Sequence, residues 1–443
     1  MKQTQQQWSG KLSFILASAG AAVGIGNIWR FPYVVGEQGG SAFILLYTLF
    51  VFAIGIPLLV AEIALGRSSG ATLVDGLKGL SVKYKKPIAF SNLGWFSLLT
   101  LLMILSFYSV VSGWVIYYFA VSLFKSLPDR LGEIKIMWES LLLSYELQIL
   151  LHAIFMSMTM MVVARGIMHG LERLNNILMP LLFIILIALV LYSAFFSGAF
   201  GKALEFLFHF DLSKINHNVA LQALGQACFS LAVGAGAMFV YGSYLGKKVS
   251  IISSSFYVAI IQFAVGILAG LAIFPIIFAK NIGVESGPGL MFLAIPNAFA
   301  GVPFSGIIMS LFFCLLLFAA ITSSINLAEP LVSTMAAKLS VSRAKATIMT
   351  GLCAFLLGIP SILSFNLLGE VKLFGVGIFD SIINVVMNFM LPIGGIGYVL
   401  YATGVLSKKD SEHELATNKI YYKIWYFSAK YLVPATLIII LIT

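Results

Sequence analysis

The first residues along this sequence whose types and spacing suggest a binding site lie in the stretch GAAVGIGNIWRFP, from Gly20 to Pro32. It lies inside an apolar run long enough to cross a membrane, yet it combines several glycines with Asn27 and Arg30. A helix that unwinds in lipid leaves peptide N–H and C=O groups unpaired, at a cost of several kcal/mol each. Such a break is tolerated where protein, water or a ligand satisfies the freed groups. Freed carbonyls suit a hard cation, and the N-terminus of a half-helix suits a carboxylate.

A second stretch of the same kind is SLAVGAGAM, from Ser230 to Met238. Glycines in a single membrane helix also serve close helix packing. One interruption alone is therefore explained either by helix packing or by a binding site. Two interruptions, five helices apart and each beside polar residues, instead indicate an inverted-repeat transporter with a binding site near the membrane midplane. Two facing breaks of this kind predict a joint site for a zwitterion and a metal cation.

The elements that must position these groups are membrane helices. Hydrophobic residues make up 60% of the 443 and charged residues only 10%, with a mean hydropathy of +1.01. Soluble domains carry about a quarter charged residues, so the chain is predicted to be an all-α integral membrane protein. A helix of about 20 residues crosses the hydrocarbon core. The apolar runs predict eleven helices, at 11–35, 41–66, 90–124, 141–163, 175–197, 217–243, 250–279, 304–337, 346–364, 374–405 and 430–443.

The net charge of +10 is distributed unevenly along the loops. Loops on the N-terminal side of the predicted membrane hold 18 Lys and Arg, and those on the opposite side hold 7. This asymmetry predicts a cytoplasmic N-terminus and, with eleven spans, an external C-terminus in a multi-pass protein of the inner (plasma) membrane. The positive charge therefore reflects topology, with the lipid bilayer as partner and no nucleic acid.

The chain is expected to form one transmembrane domain, because no linker or low-complexity tract divides residues 1–443. Its two five-helix halves are predicted at 8–197 and 217–405, followed by a cytoplasmic loop and the eleventh helix in 406–443. No His/Cys/Asp cluster and no phosphate-binding loop is present in the sequence, so no enzymatic activity is expected.

Longer strings around these residues match a family pattern. They are LASAGAAVGIGNIWRFPYVVGEQGGSAFILLY around the first break, GIPLLVAEIALGR at 55–67, FYSVVSGW at 107–114, GQACFSLAVGAGAMFVYGSY at 225–244 and FAAITSSINLAEP at 318–330. In order and spacing they resemble the neurotransmitter:sodium symporters, sodium-coupled transporters of amino acids and amines. The resemblance implies the LeuT fold, a 5+5 inverted repeat with broken first and sixth helices, here with one extra C-terminal helix as in prokaryotic members.

By resemblance, the chain has one or two sodium sites built from oxygen atoms, which hard cations prefer. The first would use the carbonyls of Gly20, Val23 and Ala319 and the hydroxyls of Thr322 and Ser323. Alone, such hydroxyls usually bond back to their own helix.

The second implied site would use the Ala22 carbonyl, Asn27, Ser230, Gln262 and the substrate carboxylate. Relatives have Asn or Asp where this chain has Gln262, which is one methylene longer. A plain interhelical hydrogen bond is the alternative role for Gln262.

Charge balance in relatives comes from chloride or from a carboxylate one turn beyond Gln262, at a position that is Gly266 in this chain. Tyr47, Gln226 and Ser230 resemble the other chloride contacts. Because Gly266 offers neither a hydroxyl nor a carboxylate, the chloride requirement stays open.

Gly24 is the most informative position for the substrate. Relatives that carry amines without a carboxylate have Asp there, so Gly24 implies an α-amino acid that brings its own carboxylate. That carboxylate would meet the Ile25 and Gly26 amides and the Tyr108 hydroxyl, and the ammonium would meet freed carbonyls such as that of Ala22. An ordinary interfacial aromatic is the alternative role for Tyr108.

The remaining pocket positions that the resemblance implies carry no charge. They are Ile104, Phe229, Ser230, Ala232, Ala235, Ser323 and Leu327. Lys, Arg, Asp and Glu are therefore disfavoured as substrates. The space beside the two alanines favours a bulky apolar or aromatic side chain.

Gates are expected on both sides of the site. Arg30 is predicted to latch the outer side with Asp380. Relatives latch the inner side with an Arg before Trp8 and an Asp late in the eighth helix. This chain has Gln5 and Ala337 there, which leaves Trp8 to close that side.

Two acidic residues lie within apolar runs, where a carboxylate is costly and by default functional. Glu62 is expected to accept hydrogen bonds from freed amides of the sixth helix, with a proton relay as the alternative. Glu329 is expected to face a wet vestibule near the cytoplasm.

Together these features predict a sodium-coupled symporter that imports a neutral, bulky apolar or aromatic α-amino acid by alternating access. An amino-acid sensor that keeps the binding site is the alternative. A sodium channel is disfavoured, because a conducting pore needs repeated weak sites. A monomer or weak homodimer is expected.

Overall fold

The computed structural model describes residues 7–28, 30–125, 127–128, 130–280, 290–415 and 418–442. This part of the chain is almost entirely helical. The helices are α1 (Lys11–Ala22), α2 (Ile25–Glu37), α3 (Ser41–Ser69), α4 (Leu73–Lys83), α5 (Ile88–Phe124), α6 (Leu131–Leu143), α7 (Tyr145–Ala164), α8 (Ile167–Phe196), α9 (Phe200–Phe208), α10 (His217–Ser230), α11 (Ala237–Ser243), α12 (Ile251–Lys280), α13 (Ile295–Phe299), α14 (Ser305–Leu339), α15 (Arg343–Leu363), α16 (Ile378–Gly404), α17 (Lys408–Leu415) and α18 (Lys419–Ile442). A two-stranded antiparallel hairpin, β1 (Lys372–Leu373) and β2 (Val376–Gly377), precedes α16.

Within the described ranges, nine helices are long and apolar enough to cross a membrane, and the bent pair α1 and α2 makes a tenth. Helices α10 and α11 are each too short to cross alone, and together they form a further interrupted rod. Large apolar side chains such as Ile184 and Phe195 are exposed on the outside of the bundle. In water that exposure would be unfavourable, and in a bilayer it is the expected surface.

The first break lies between α1 and α2, whose axes differ by 72°. The Val23 amide still bonds to the Ala19 carbonyl, but Val23 leaves the helix with φ −83° and ψ 78°. The Gly24 amide then turns back to the Ala22 carbonyl at 3.1 Å. Helical bonding starts again at Ile25, so the carbonyls just before the break are no longer used by regular helix bonds.

The second break separates α10 from α11 and depends on glycine. Gly234 and Gly236 have φ of +92° and +79°, in a region where side chains with a Cβ are strained. Ala232 also has a positive φ, +52°, and a non-glycine residue in this region costs about 1–2 kcal/mol. The chain holds this strained conformation over a short segment of the membrane interior.

Packing brings the two breaks together in the middle of the bundle. Helix α1 packs against α12 and α14, α10 and α11 pack against α3, and α5 packs along α14. The breaks are thus enclosed by the long helices that carry the other predicted site residues.

The C-terminal region differs from the prediction. The last helix begins at Lys419, not near residue 430, and the predicted polar loop contains α17. Arg67 explains why this loop is ordered. Its Nε donates to Glu414 at 2.8 Å and its Nη1 donates to the Val249 carbonyl at 2.6 Å, so one buried guanidinium joins α3, α17 and the segment before α12.

Candidate functional site between the two broken helices

A cavity opens between the two breaks and reaches toward α5, α14 and α16. Most of the predicted substrate positions line it, and Ile25 does not. The lining residues are Ala21, Ala22, Gly24, Gly26, Asn27, Ile104, Phe107, Tyr108, Phe229, Ser230, Ala232, Ala235, Ser323, Leu327, Met387 and Leu391.

The polar end of this cavity lies at the start of α2. The Ile25 amide donates to the Tyr108 hydroxyl at 3.2 Å. Tyr108 therefore points at the first break and is not an interfacial aromatic. A hydroxyl and the N-terminus of a half-helix meet here, an arrangement suited to a carboxylate.

The apolar part of the cavity combines the predicted residue Phe229 with residues that the sequence analysis missed. The ring of Phe229 packs so closely on Gly26 that a Cβ at residue 26 would lie 2.4 Å from it. Phe107, Met387 and Leu391 add further apolar surface. Met387 and Leu391 are four residues apart, so the sequence alone places them on one face of a helix. Only packing between helices shows that this face lines the cavity.

The five residues of the first predicted sodium site lie together. The Ser323 hydroxyl donates to the carbonyls of Gly20 and Val23, at 3.1 and 3.4 Å. The Thr322 hydroxyl donates to the Ala319 carbonyl at 3.1 Å and to the Phe318 carbonyl at 3.0 Å. These are neutral, buried oxygen atoms from α1, its break and α14, a donor set that fits Na⁺.

The residues of the second predicted site form one hydrogen-bonded network. Asn27 donates to the Ala22 carbonyl, and the Gln262 amide nitrogen lies 3.3 Å from Asn27 Oδ1 and also donates to Tyr47. The Tyr47 and Ser230 hydroxyls are 3.0 Å apart. Gln262 Oε1 is buried without a hydrogen-bond partner, so this side chain has an oxygen free for a cation as well as a bond to its neighbours.

Gly266, at the position expected to hold a carboxylate in some relatives, lies against an aromatic ring in this protein. A Cβ on Gly266 would lie 3.0 Å from the ring of Phe31. Gln226, one of the predicted chloride contacts, is bonded through Oε1 to Arg30, while its Nε2 has no partner.

Arg30 covers the side of the cavity that the sequence analysis expected to be the outer side, but not with the predicted partner. The guanidinium donates to Gln226 and lies over the ring of Phe229, 5.4 Å from its centroid. No ion pair joins Arg30 and Asp380 in the part of the chain that the structure describes. The predicted pairing is therefore corrected: Asp380 is exposed at the start of α16, whereas Arg30 points inward to the cavity roof.

Trp8, which the sequence analysis expected to close the inner side, packs against the end of α11, and Gln5 lies outside the described residues. The Trp8 indole donates to the Tyr241 carbonyl at 3.0 Å, and its ring packs on Tyr241 at 5.0 Å between centroids. The side chain is buried. Trp8 thus joins the start of α1 to the end of α11.

The two membrane acids have different partners. The Gly234 amide donates to Glu62 Oε1 at 2.5 Å, and Glu62 Oε2 is buried without a hydrogen-bond partner in the described residues. Glu62 therefore contacts a freed amide of the second break.

Glu329 does not face a vestibule, which corrects the expectation from sequence. It is fully buried and pairs with Arg343, and the Tyr244 hydroxyl donates to it at 3.2 Å. Arg343 also donates to the Val163 carbonyl at 2.9 and 2.7 Å. This network was missed because its members come from four separate parts of the chain.

Comparison with known proteins agrees with this architecture. The family model "Sodium:neurotransmitter symporter family" matches residues 5–140 and 133–443. The uncharacterized sodium-dependent transporter YhdH of Bacillus subtilis (strain 168) is 34% identical, over 99% of this chain and 97% of the relative. An uncharacterized sodium-dependent transporter of Haemophilus influenzae is also 34% identical, over 99% and 98%.

A solved structure extends the comparison to the fold. The crystal structure of MhsT in complex with L-phenylalanine superimposes with a TM-score of 0.89, at 37% identity, over 99% of both chains. The confirmed features are the broken first and sixth helices, the inverted repeat and the additional C-terminal helix. The chain belongs to the sodium:neurotransmitter symporter family and has the LeuT fold.

Proposed function

We propose that this protein is a sodium-coupled symporter that imports a neutral α-amino acid with a bulky apolar or aromatic side chain. The observation that carries the proposal is the cavity between the two breaks: none of its lining residues is charged, and most are apolar. Bringing a charged side chain into such a cavity without a partner is strongly unfavourable. MhsT, the similar protein of known structure, was crystallised with L-phenylalanine, which supports this substrate class.

The backbone of the substrate is proposed to bind at the polar end. Its carboxylate meets the amides at the start of α2 and the Tyr108 hydroxyl, and Gly24 leaves that place without a competing carboxylate. Its ammonium meets carbonyls freed before the first break, including that of Ala22. The apolar side chain extends toward Phe229 and the face of α16 that carries Met387.

Coupling to sodium follows from groups that serve both ligands. Ser323 lines the cavity and contacts the carbonyls of the first cation cluster, and Asn27 lines it and belongs to the second. An ion that orders these groups also orders the substrate site, so each ligand increases the affinity for the other. We propose two sodium ions as co-substrates. Because Gly266 has no side chain, the charge of the bound ions is proposed to be balanced without a protein carboxylate at that position.

Transport is proposed to occur when the two broken rods move relative to the other helices. In the described residues, Arg30 and Phe229 cover one side and Trp8 the other. The loop charges support a cytoplasmic N-terminus in the plasma membrane, with residues 8–197 and 217–405 as the two halves of one domain.

The test is uptake into proteoliposomes loaded with potassium, with sodium or potassium outside. Labelled phenylalanine, tryptophan, leucine, alanine, lysine and glutamate form the panel. Accumulation of the large apolar members that requires external sodium is the expected result. Binding without accumulation would indicate a sensor, and equal uptake in potassium would exclude sodium coupling.

Matched hydroxyl variants test the first cation cluster. The double variant Thr322→Ala/Ser323→Ala is expected to lose at least a hundredfold of sodium-driven uptake, since a contact to a charged group contributes about 1.5–3 kcal/mol. Ser324→Ala is the control, because the Ser324 hydroxyl bonds to Ile321 and Thr159 and not to the cluster. Full activity in the double variant would remove this site from the proposal.

A further inference from the structure

Two buried oxygen atoms beside the first cation cluster have no hydrogen-bond partner. They are Asn175 Oδ1 and Asn326 Oδ1. Their residues are 0% and 1% exposed. The helices that carry them, α8 and α14, pack against each other and against α1. An unpaired buried acceptor is unfavourable for folding and needs an explanation, and two beside the same cation cluster point to a common ligand.

Asn175 is the more informative of the two. Its Nδ2 donates to the Leu171 carbonyl at 2.8 Å, which fixes the side chain and turns Oδ1 toward α1. A Cβ on Gly20 would lie 2.2 Å from this oxygen. The Asn175 oxygen therefore lies directly against Gly20 of the first cation cluster, and only glycine at position 20 leaves it room.

Both oxygens lie toward the start of α1. A helical Cα–Cβ bond tilts toward the helix N-terminus, so Asn175 Oδ1 lies on the side of Gly20 that faces the start of α1. Asn326 follows Thr322 by one turn, and its Nδ2 bonds to the carbonyls of Thr322 and of Ala17, which precedes Gly20 by one turn. The proposed topology makes this the cytoplasmic side.

We propose that these oxygens form a second, transient binding station for sodium, which the ion occupies as it leaves the first cluster for the cytoplasm. Asn175 is the first oxygen that the departing ion meets. The inference rests on the proposed function. Amide and hydroxyl oxygens are hard donors, and because they carry no charge they bind the ion weakly enough to release it, as a conducting path requires.

A negatively charged residue lies beyond the station and attracts a cation. Glu172 lies three residues before Asn175 on α8 and accepts hydrogen bonds from the amide and hydroxyl of Ser9. A sodium ion that leaves Asn175 in this direction moves toward a carboxylate and toward the protein surface.

The variant Asn175→Leu tests the station, since it removes the oxygen and keeps the approximate shape. Net uptake into sodium-free proteoliposomes requires release of sodium inside. Exchange, with equal sodium on both sides and amino acid inside, does not require that step. We expect net uptake to fall by about tenfold, the effect of one lost contact to a charged group, while exchange stays within about twofold.

Asn176→Leu is the matched control. Asn176 is the neighbouring, exposed residue, and its Nδ2 bonds to Ser13 instead. Sodium-dependent thermal stabilisation reports the loaded first cluster, and its midpoint is expected to be unchanged in both variants. If Asn175→Leu aggregates in detergent or shows no cooperative thermal unfolding, it is misfolded, and Asn326→Leu is judged by the same criteria.

The outcomes separate this inference from the proposed function. Unchanged net uptake in Asn175→Leu overturns the station. A parallel fall of net uptake, exchange and sodium affinity also overturns it, because the oxygen would then belong to the loaded site. Absence of sodium-driven uptake in the unaltered protein would instead contradict the proposed function.

Discussion

Gly24 shows how much one missing side chain decides in this protein. A Cβ at this position would lie 3.0 Å from the Ser323 hydroxyl oxygen and 3.3 Å from that of Tyr108. Both neighbours belong to the candidate site, one in the first cation cluster and one at the proposed carboxylate position. Gly24 thus sets both the space and the charge at the point where ion and substrate are proposed to meet.

The variant Gly24→Asp is expected to lose amino-acid uptake by roughly three orders of magnitude. Two carboxylates about 4 Å apart repel by about 4 kcal/mol at an effective dielectric constant of 20. Gly24→Ala is the steric control and is expected to retain part of the activity. Competition by phenethylamine, which lacks the carboxylate, is expected to improve in the Asp variant relative to phenylalanine. Phenylalanine uptake at the unaltered rate in Gly24→Asp would place the substrate carboxylate elsewhere.

At the scale of the helices, the second break depends on a partner from another part of the chain. Its glycines permit the positive φ angles, but they do not supply acceptors for the amides that unwinding frees. Glu62 on α3 supplies one, since its Oε1 accepts a hydrogen bond from the Gly234 amide. The broken helix and this carboxyl group are therefore one structural unit.

Replacing Glu62 with Ala is expected to destabilise the break, because the buried Gly234 amide loses the oxygen that accepts its hydrogen bond. The expected loss is about 1–3 kcal/mol of unfolding free energy for the unsatisfied amide, together with most of the uptake. Thermal unfolding in detergent and proteoliposome uptake measure both effects. Glu133→Ala, on the exposed face of α6, is the control. Equal behaviour of the two variants would show that the break does not need this carboxyl group.

At the scale of the whole molecule, ionic contacts tie the ends of helices on the N-terminal side of the membrane. The Arg67 guanidinium, with its side chain 4% exposed, joins Glu414 and the Val249 carbonyl. Lys83 and Asp410 connect α17 to a different helix, α4, with the ion-pair atoms 4.0 Å apart and side chains 59% and 44% exposed. Both pairs hold α17 against the bundle, and they differ in burial and in the closeness of the contact.

This difference predicts unequal effects of two substitutions. Arg67→Ala is expected to destabilise the protein by about 3–5 kcal/mol, because it leaves a carboxylate and a carbonyl without their partner in a mostly buried place. Lys83→Ala is expected to cost at most about 1 kcal/mol, as exposed pairs do. Thermal unfolding of both variants in one detergent makes the comparison. A larger shift for Lys83→Ala would mean that burial does not decide the value of these contacts.

The sequence by itself determined the features that depend on local composition. Long apolar runs must be membrane helices, and the glycine-rich interruptions at 20–26 and 230–238 cannot continue a regular helix without cost. The membrane class, the two breaks and the order of the helices follow from these local properties, and the fold confirms them. Thr322 and Ser323 were also visible, because adjacent hydroxyls are unusual in so apolar a helix, whereas the importance of Gly24 came from the family resemblance.

Only the tertiary structure decided which distant groups meet. Arg30 bonds to Gln226 and not to Asp380, and Glu329 is buried against Arg343. Asn175 lies against Gly20, and Met387 lines the cavity. In a helix with apolar residues on every side, the sequence pattern does not show which face points to the bundle and which to lipid. That choice depends on side-chain packing between helices far apart in the chain, and so these contacts appear only once the helices are assembled.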